Sequence, residues 1–199
     1  MRISLMLARL FVSTFAGLMV LGAWGTSAAF ADPIIEETGQ EVIHRLRAIN
    51  DRYEVGEPFS AEDAVYVLNY STKPNDPVPY DSHNVSMSGG LYGTNVTVTG
   101  SVYHNGTFTY TYGGTLVAKK TSGATPKKFV SSIRCTSYGI AGSGGVIKIY
   151  DDKVSASKLN SNSFTANLSE SYVGYMFSYA LDPSVVVTTS SGDVFTIRA

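Results

Sequence analysis

The side chains of this chain that could do chemistry are one cysteine, three histidines and a few carboxylates, and their spacing decides whether they could do it together. Cys135 is the sole cysteine among 199 residues. A thiol becomes a nucleophile only when an adjacent base makes it thiolate, and His44, His83 and His104 are the imidazoles on offer. The run Ser132-Ile133-Arg134-Cys135-Thr136 alternates as a strand does, which predicts Cys135 as a small core residue and weighs against a cysteine enzyme. The histidines lie far apart, and no Cys or His pair has the spacing of zinc ligands. Asp151-Asp152 and Asp193 are expected in turns, where such carboxylates accept local hydrogen bonds more often than they bind calcium. Gly139, Gly142, Gly144 and Gly145 imitate a phosphate loop. That chemistry needs a helix N-terminus directly after the glycines, and Val146-Ile147-Lys148-Ile149 reads as a strand. No catalytic residue, metal or cofactor is expected.

Two groups of residues are candidates for binding instead. Lys119, Lys120, Lys127 and Lys128 flank residues 121–126, so a hairpin here would carry four positive charges at its tip, suited to an anionic surface, a wall polymer or the acidic part of the same chain. Tyrosine is abundant, and Tyr103, Tyr110 and Tyr112 stand out. Its ring offers flat amphipathic area to sugars or proteins, and it is equally a strand residue that closes the edge of a core.

The elements that must position these groups follow from periodicity. Asn95–Thr99 and Thr107–Tyr112 alternate hydroxyl with apolar residues, as half-buried antiparallel strands do, and Asn105-Gly106 between them predicts a type I′ hairpin turn. Further strands are expected over 116–119, 129–136, 146–150, 164–168, 172–179, 185–188 and 194–197. Short strands at this spacing predict a mainly β fold: an antiparallel β-sandwich, immunoglobulin-like, or a small barrel. Upstream, Ile35, Gly39, Val42, Leu46, Ile49 and Tyr53 form one helical stripe, predicting a helix over about 36–53. Ser60-Ala61-Glu62-Asp63 supplies a cap and an acidic first turn for a second, short helix backed by Ala64, Val65 and Leu68. A strand through Val65-Tyr66-Val67 is the alternative.

The expected organisation is a signal peptide over 1–31, an acidic helical segment over 32–72, a proline-rich linker over 73–81 and a β domain over 82–199. Arg2 and Arg9 precede an apolar run from Leu10 to Trp24, and Ala29-Phe30-Ala31 resembles a signal-peptidase site. The run is shorter than the roughly twenty residues a membrane span requires. Cleavage near Ala31 would leave 168 residues, secreted, with no permanent membrane anchor. A secreted domain without a disulfide leans toward a bacterial product. Charge divides along the chain. Between Asp32 and Asp81 eleven acidic residues face Arg45, Arg47, Arg52 and Lys73, a balance of −7; beyond Asp81 five acidic residues face nine basic ones, a balance of +4. Docking of the acidic helices on the β domain is one reading of that split, and solvated faces of unlike composition are the other. No nucleic-acid partner is expected. The functional expectation is a secreted, non-catalytic binding module acting at a cell surface on a polymer, glycan or protein. The alternative is a toxin-like or bacteriocin-like membrane-active effector in which residues 32–81 are a pro-segment.

Overall fold

Alternation carries through strands longer than the expected ones, and it builds two faces on each. The computed structural model describes residues 39–73, 81–142 and 144–199; the readings of residues 1–31 and of the prolines at 74–79 lie outside them. Eight strands form: β1 (Asp81–Leu91), β2 (Thr94–Gly106), β3 (Thr109–Ser122), β4 (Lys128–Ile140), β5 (Val146–Leu159), β6 (Ser163–Val173), β7 (Ser178–Thr188) and β8 (Val194–Arg198). They make two antiparallel four-stranded sheets, ordered β1-β2-β3-β6 and β5-β4-β7-β8. Inward side chains of both, among them Val96, Val98, Tyr112, Leu116, Phe129, Ile133, Val185 and Val187, interlock as one apolar core. The arrangement is that of a β-sandwich.

Several local readings need correction. The span 172–179 is not one strand: Val173 ends β6, Ser178 opens β7, and the chain turns between them after Gly174. Asn105-Gly106 does not form the type I′ turn, because only Gly106 has positive φ; the pair closes β2, and Thr107-Phe108 make the tip. A type I′ turn does occur at Tyr92-Gly93, with φ of 47° and 81°, where Leu91 pairs with Thr94. Residues 119–128 are not a hairpin, since β3 and β4 belong to different sheets and the lysines flank a crossover.

Two helices, α1 (Gly39–Arg52) and α2 (Ala61–Tyr70), precede the strands. Ser60 caps α2, its Oγ accepting from the Asp63 N–H at 3.2 Å. The buried face of α2 is Asp63, Tyr66 and Val67; Val65 and Leu68 point to solvent. Leu46, Ile49, Phe59, Tyr66 and Val67 join Tyr138 and Val146 in a second apolar cluster on the outer face of the second sheet. Backbone bonds pin this layer at two places. Gly56 and Phe59 donate to the Lys148 and Val146 carbonyls of β5 at 2.8 and 2.9 Å, and Thr72 exchanges bonds of 2.9 and 2.8 Å with Tyr179 of β7.

Candidate functional site

The cysteine lies where alternation places it. Cys135 is wholly buried in the sandwich core, and burial pushes its thiol up to about 12, far from a thiolate at neutral pH. Of the histidines, His104 is buried in an aromatic cluster, stacked on Tyr179 at 4.1 Å with Nε2 2.7 Å from Tyr172 Oη. Tyr172 also hydrogen-bonds Ser137 and stacks on Tyr150 at 4.0 Å. Desolvation drives the Tyr172 phenol upward, so it is a neutral member of the network. Among the described residues no group of three or more His, Cys, Asp or Glu is placed to hold a metal ion.

Asp151 and Asp152 are not in a turn. They sit within β5, and their orientation depends on a bulge that alternation alone does not reveal. Ser137 pairs with Tyr150 but Tyr138 pairs with Lys148, so Ile149 is an extra residue. In an uninterrupted strand, positions three apart face opposite ways. The bulge instead brings Lys148 and Asp151 to the same outer face, 2.6 Å apart. Arg134 clasps the same carboxylate from Nε and Nη2 at 2.6 and 2.8 Å and reaches Asp51 of α1 through Nη1 at 2.5 Å. Lys148 also donates to the Asn50 carbonyl at 2.9 Å, capping the last turn of α1. Farther along the sheet, Arg47 of α1 holds Asp182 with bonds of 2.9 and 2.6 Å. These pairs join helices to sheet and leave a groove of about 370 Å³ beside them, lined by both signs of charge, including Asp152, Lys153 and Arg198.

The four expected lysines gather at one end of the sandwich with a fifth. Lys119 and Lys120 lie near the end of β3, Lys127 directly precedes β4 and Lys128 opens it, where Lys128 pairs with Leu159 and Phe129 with Lys158. Asn160 donates to the Lys127 carbonyl and Lys120 to that of Asn162, each through its backbone N–H, which ties the crossover to the β5–β6 turn. The ion pairs among the described residues use Arg45, Arg47, Arg52, Arg134 and Lys148; none uses these five lysines. Tyr92, Leu159 and Val194 protrude beside them, 81%, 62% and 58% exposed. Asp193 is the acidic residue of this end, in the β7–β8 turn, accepting from Ser191 Oγ at 2.5 Å.

The tyrosines divide. Tyr110 and Tyr112 face the core and offer no binding surface, because even positions of β3 point inward. Tyr103 points outward from β2 and hydrogen-bonds Ser169 at 3.2 Å. Sequence reading missed the polar face around it, although Ser82-x-Asn84-x-Ser86-x-Ser88, interleaved with His83, Val85 and Met87, carries the same period-two signal in β1. No family model matches this chain, and no curated protein is similar enough to it to count as a relative.

Proposed function

We propose that this chain is a secreted, non-catalytic binding module that acts at a cell surface and docks on an anionic polymer through its lysine-bearing end. The observation that carries the reading is the separation of its cations. Arg45, Arg47, Arg52, Arg134 and Lys148, on the helices or facing them, are engaged in ion pairs, whereas Lys119, Lys120, Lys127, Lys128 and Lys158 stand together without one among the described residues. Clustered like charge costs stability through repulsion unless something neutralises it, and a polyanion does so. The protruding Tyr92 and Leu159 add apolar area that a purely solubilising surface would not need.

Retention of the purified chain on immobilised poly(glycerol phosphate) tests the proposal. A basic residue at an anionic surface contributes on the order of 1 kcal/mol. Changing Lys119, Lys120, Lys127 and Lys128 together to Ala should therefore weaken binding by at least about a hundredfold, and added salt should weaken the parent protein similarly. Equal retention of parent and variant would sink the reading.

The membrane-active alternative draws on one feature. The β2–β3 hairpin is amphipathic and its strands exceed the roughly ten residues that cross a bilayer. Its apolar side, with Val96, Val98, Tyr112 and Leu116, would have to leave the core. Leakage of phosphatidylglycerol vesicles by a chain lacking residues 32–81, but not by the full chain, would favour it.

A further inference from the structure

The outward face of the first sheet is built almost wholly from uncharged hydrogen-bonding side chains. Register places Asn84, Ser101, Thr115 and Asn167 in one row across the four strands and Ser82, Tyr103, Gly113 and Ser169 in the next. The rows on either side continue with Ser, Thr and Asn; Val117 and, at the far end of β6, Val173 are the aliphatic residues on the face and Lys119 the one charge. Thr115 Oγ1 donates to Asn167 Oδ1 at 2.9 Å, and Thr111 and Ser171 hydroxyls meet at 2.8 Å. These bonds use only part of the donor and acceptor capacity of the groups involved.

Tyr103 is the aromatic residue of this face, and its hydrogen bond fixes how it lies. Neighbouring strands are about 4.8 Å apart, so Ser169 on β6 is roughly 10 Å from β2. Tyr103 Oη reaches Ser169 Oγ at 3.2 Å only if the ring spans β3. It crosses at Gly113, its register partner, which has no side chain to lift it. One ring face therefore rests on backbone and the other looks outward, beside a depression of about 260 Å³ bordered by Ser101, Thr115, Asn167 and Ser169.

We propose that this platform binds a neutral saccharide, one pyranose ring stacked on Tyr103 with its hydroxyls exchanging hydrogen bonds with Ser101, Thr115, Asn167 and Ser169. The C–H face of a pyranose is weakly positive and complements the negative face of an aromatic ring. Its hydroxyl fringe both donates and accepts, as do these side chains. Charge selects against the other occupants: a nucleic acid or anionic glycan requires cations that the platform lacks around Tyr103, and a protein partner requires an apolar centre that one tyrosine and two separated valines do not provide. The site is separate from the lysine end, since Tyr103 lies six residues along β2 from the partner of Lys119, roughly 20 Å.

Backbone amide NMR of the full chain, titrated with cellohexaose, chitohexaose and mannohexaose in about 0.5 M salt to screen the lysines, provides the test. At least one oligomer should shift the resonances of Ser101, Tyr103, Thr115, Asn167 and Ser169. Tyr103→Ala should weaken that titration about tenfold, while Tyr103→Phe, which keeps the ring, should stay within about threefold. Asn167→Ala, which leaves the tyrosine in place, should weaken it severalfold. The fourfold lysine-to-alanine variant should titrate as the parent does, so that failure here is separable from failure of polyanion binding. No shift with any of the three oligomers, shifts confined to another face, or a Tyr103→Ala protein that titrates unchanged would overturn the proposal.

Discussion

Asp151 accepts hydrogen bonds from Arg134 and Thr136 of β4 and from Lys148 of its own strand. Burial alone would raise its carboxyl pKa, but hydrogen bonds from Arg134 and Lys148, with their charges, outweigh that and hold it below the usual range. Asp63 is held low in the same direction, chiefly by the Tyr53 hydroxyl at 2.7 Å, against desolvation and with help from Ser60 and Arg52. Each depressed carboxyl leaves the unfolded chain binding more protons than the folded one in acid. Stability is therefore full above about pH 4 and is lost as pH falls toward the folded values. The melting temperature should be nearly level between about pH 7 and 5 and fall below about 4. Asp151→Asn leaves Lys148, whose side chain is 4% exposed, without its counter-charge. Breaking such a buried pair costs about 3 kcal/mol, or about 6–12 °C for a domain of this size. The variant should also lose part of its acid sensitivity, as thermal melts at neutral and acid pH would show. A melting point unchanged at both would contradict this account of the interface.

At the level of elements, the β1–β2 turn holds Tyr92 at positive φ, a conformation that asparagine tolerates better than a bulky residue. Tyr92→Asn should therefore stabilise the fold by about 0.5–1 kcal/mol. If Tyr92 belongs to the docking end, the same change should weaken retention on poly(glycerol phosphate), whereas retention at parent strength would show that its exposure serves no binding. Such opposed effects mark strain kept for function. This turn also shows where the sequence was legible. Alternation located parts of most strands and the inward face of β3 and β4, because burial imposes a period of two. It missed the Tyr92-Gly93 turn, since tyrosine is not a residue from which positive φ is read, and it chose Asn105-Gly106, where tertiary pairing carries β2 through the Asn-Gly signal. The bulge at Ile149 had no signature in Val146-Ile147-Lys148-Ile149-Tyr150-Asp151, so the ionic site it creates was invisible. Ser60 was readable because a cap acts over three residues; the outward-facing Val65 and Leu68 were not, because the face of a short helix is set by what it meets.

For the molecule as a whole, the question is whether the helical layer can leave. Gly56, Phe59 and Thr72 give it backbone bonds to β5 and β7, and Arg134–Asp51 and Arg47–Asp182 give it ion pairs of opposite polarity. Beneath it lie Tyr138, fully buried and donating to Asn50 Oδ1 at 2.7 Å, and Lys148, which spends its charge partly on the helix terminus. A chain reduced to residues 81–199 would expose that tyrosine, Val146 and a desolvated lysine together. Burial of large apolar side chains contributes about 1.5–3 kcal/mol each, so the loss would be comparable with the whole stability of an ordinary domain, about 5–15 kcal/mol. Residues 81–199 expressed alone should therefore melt far below the full chain or remain insoluble, and limited proteolysis of the intact protein should cut within 39–73 only under conditions that also unfold the sheets. Should the shortened chain instead melt within a few degrees of the full one, the helices would be a removable cover. The pro-segment reading would then gain the ground that a permanent third layer now holds.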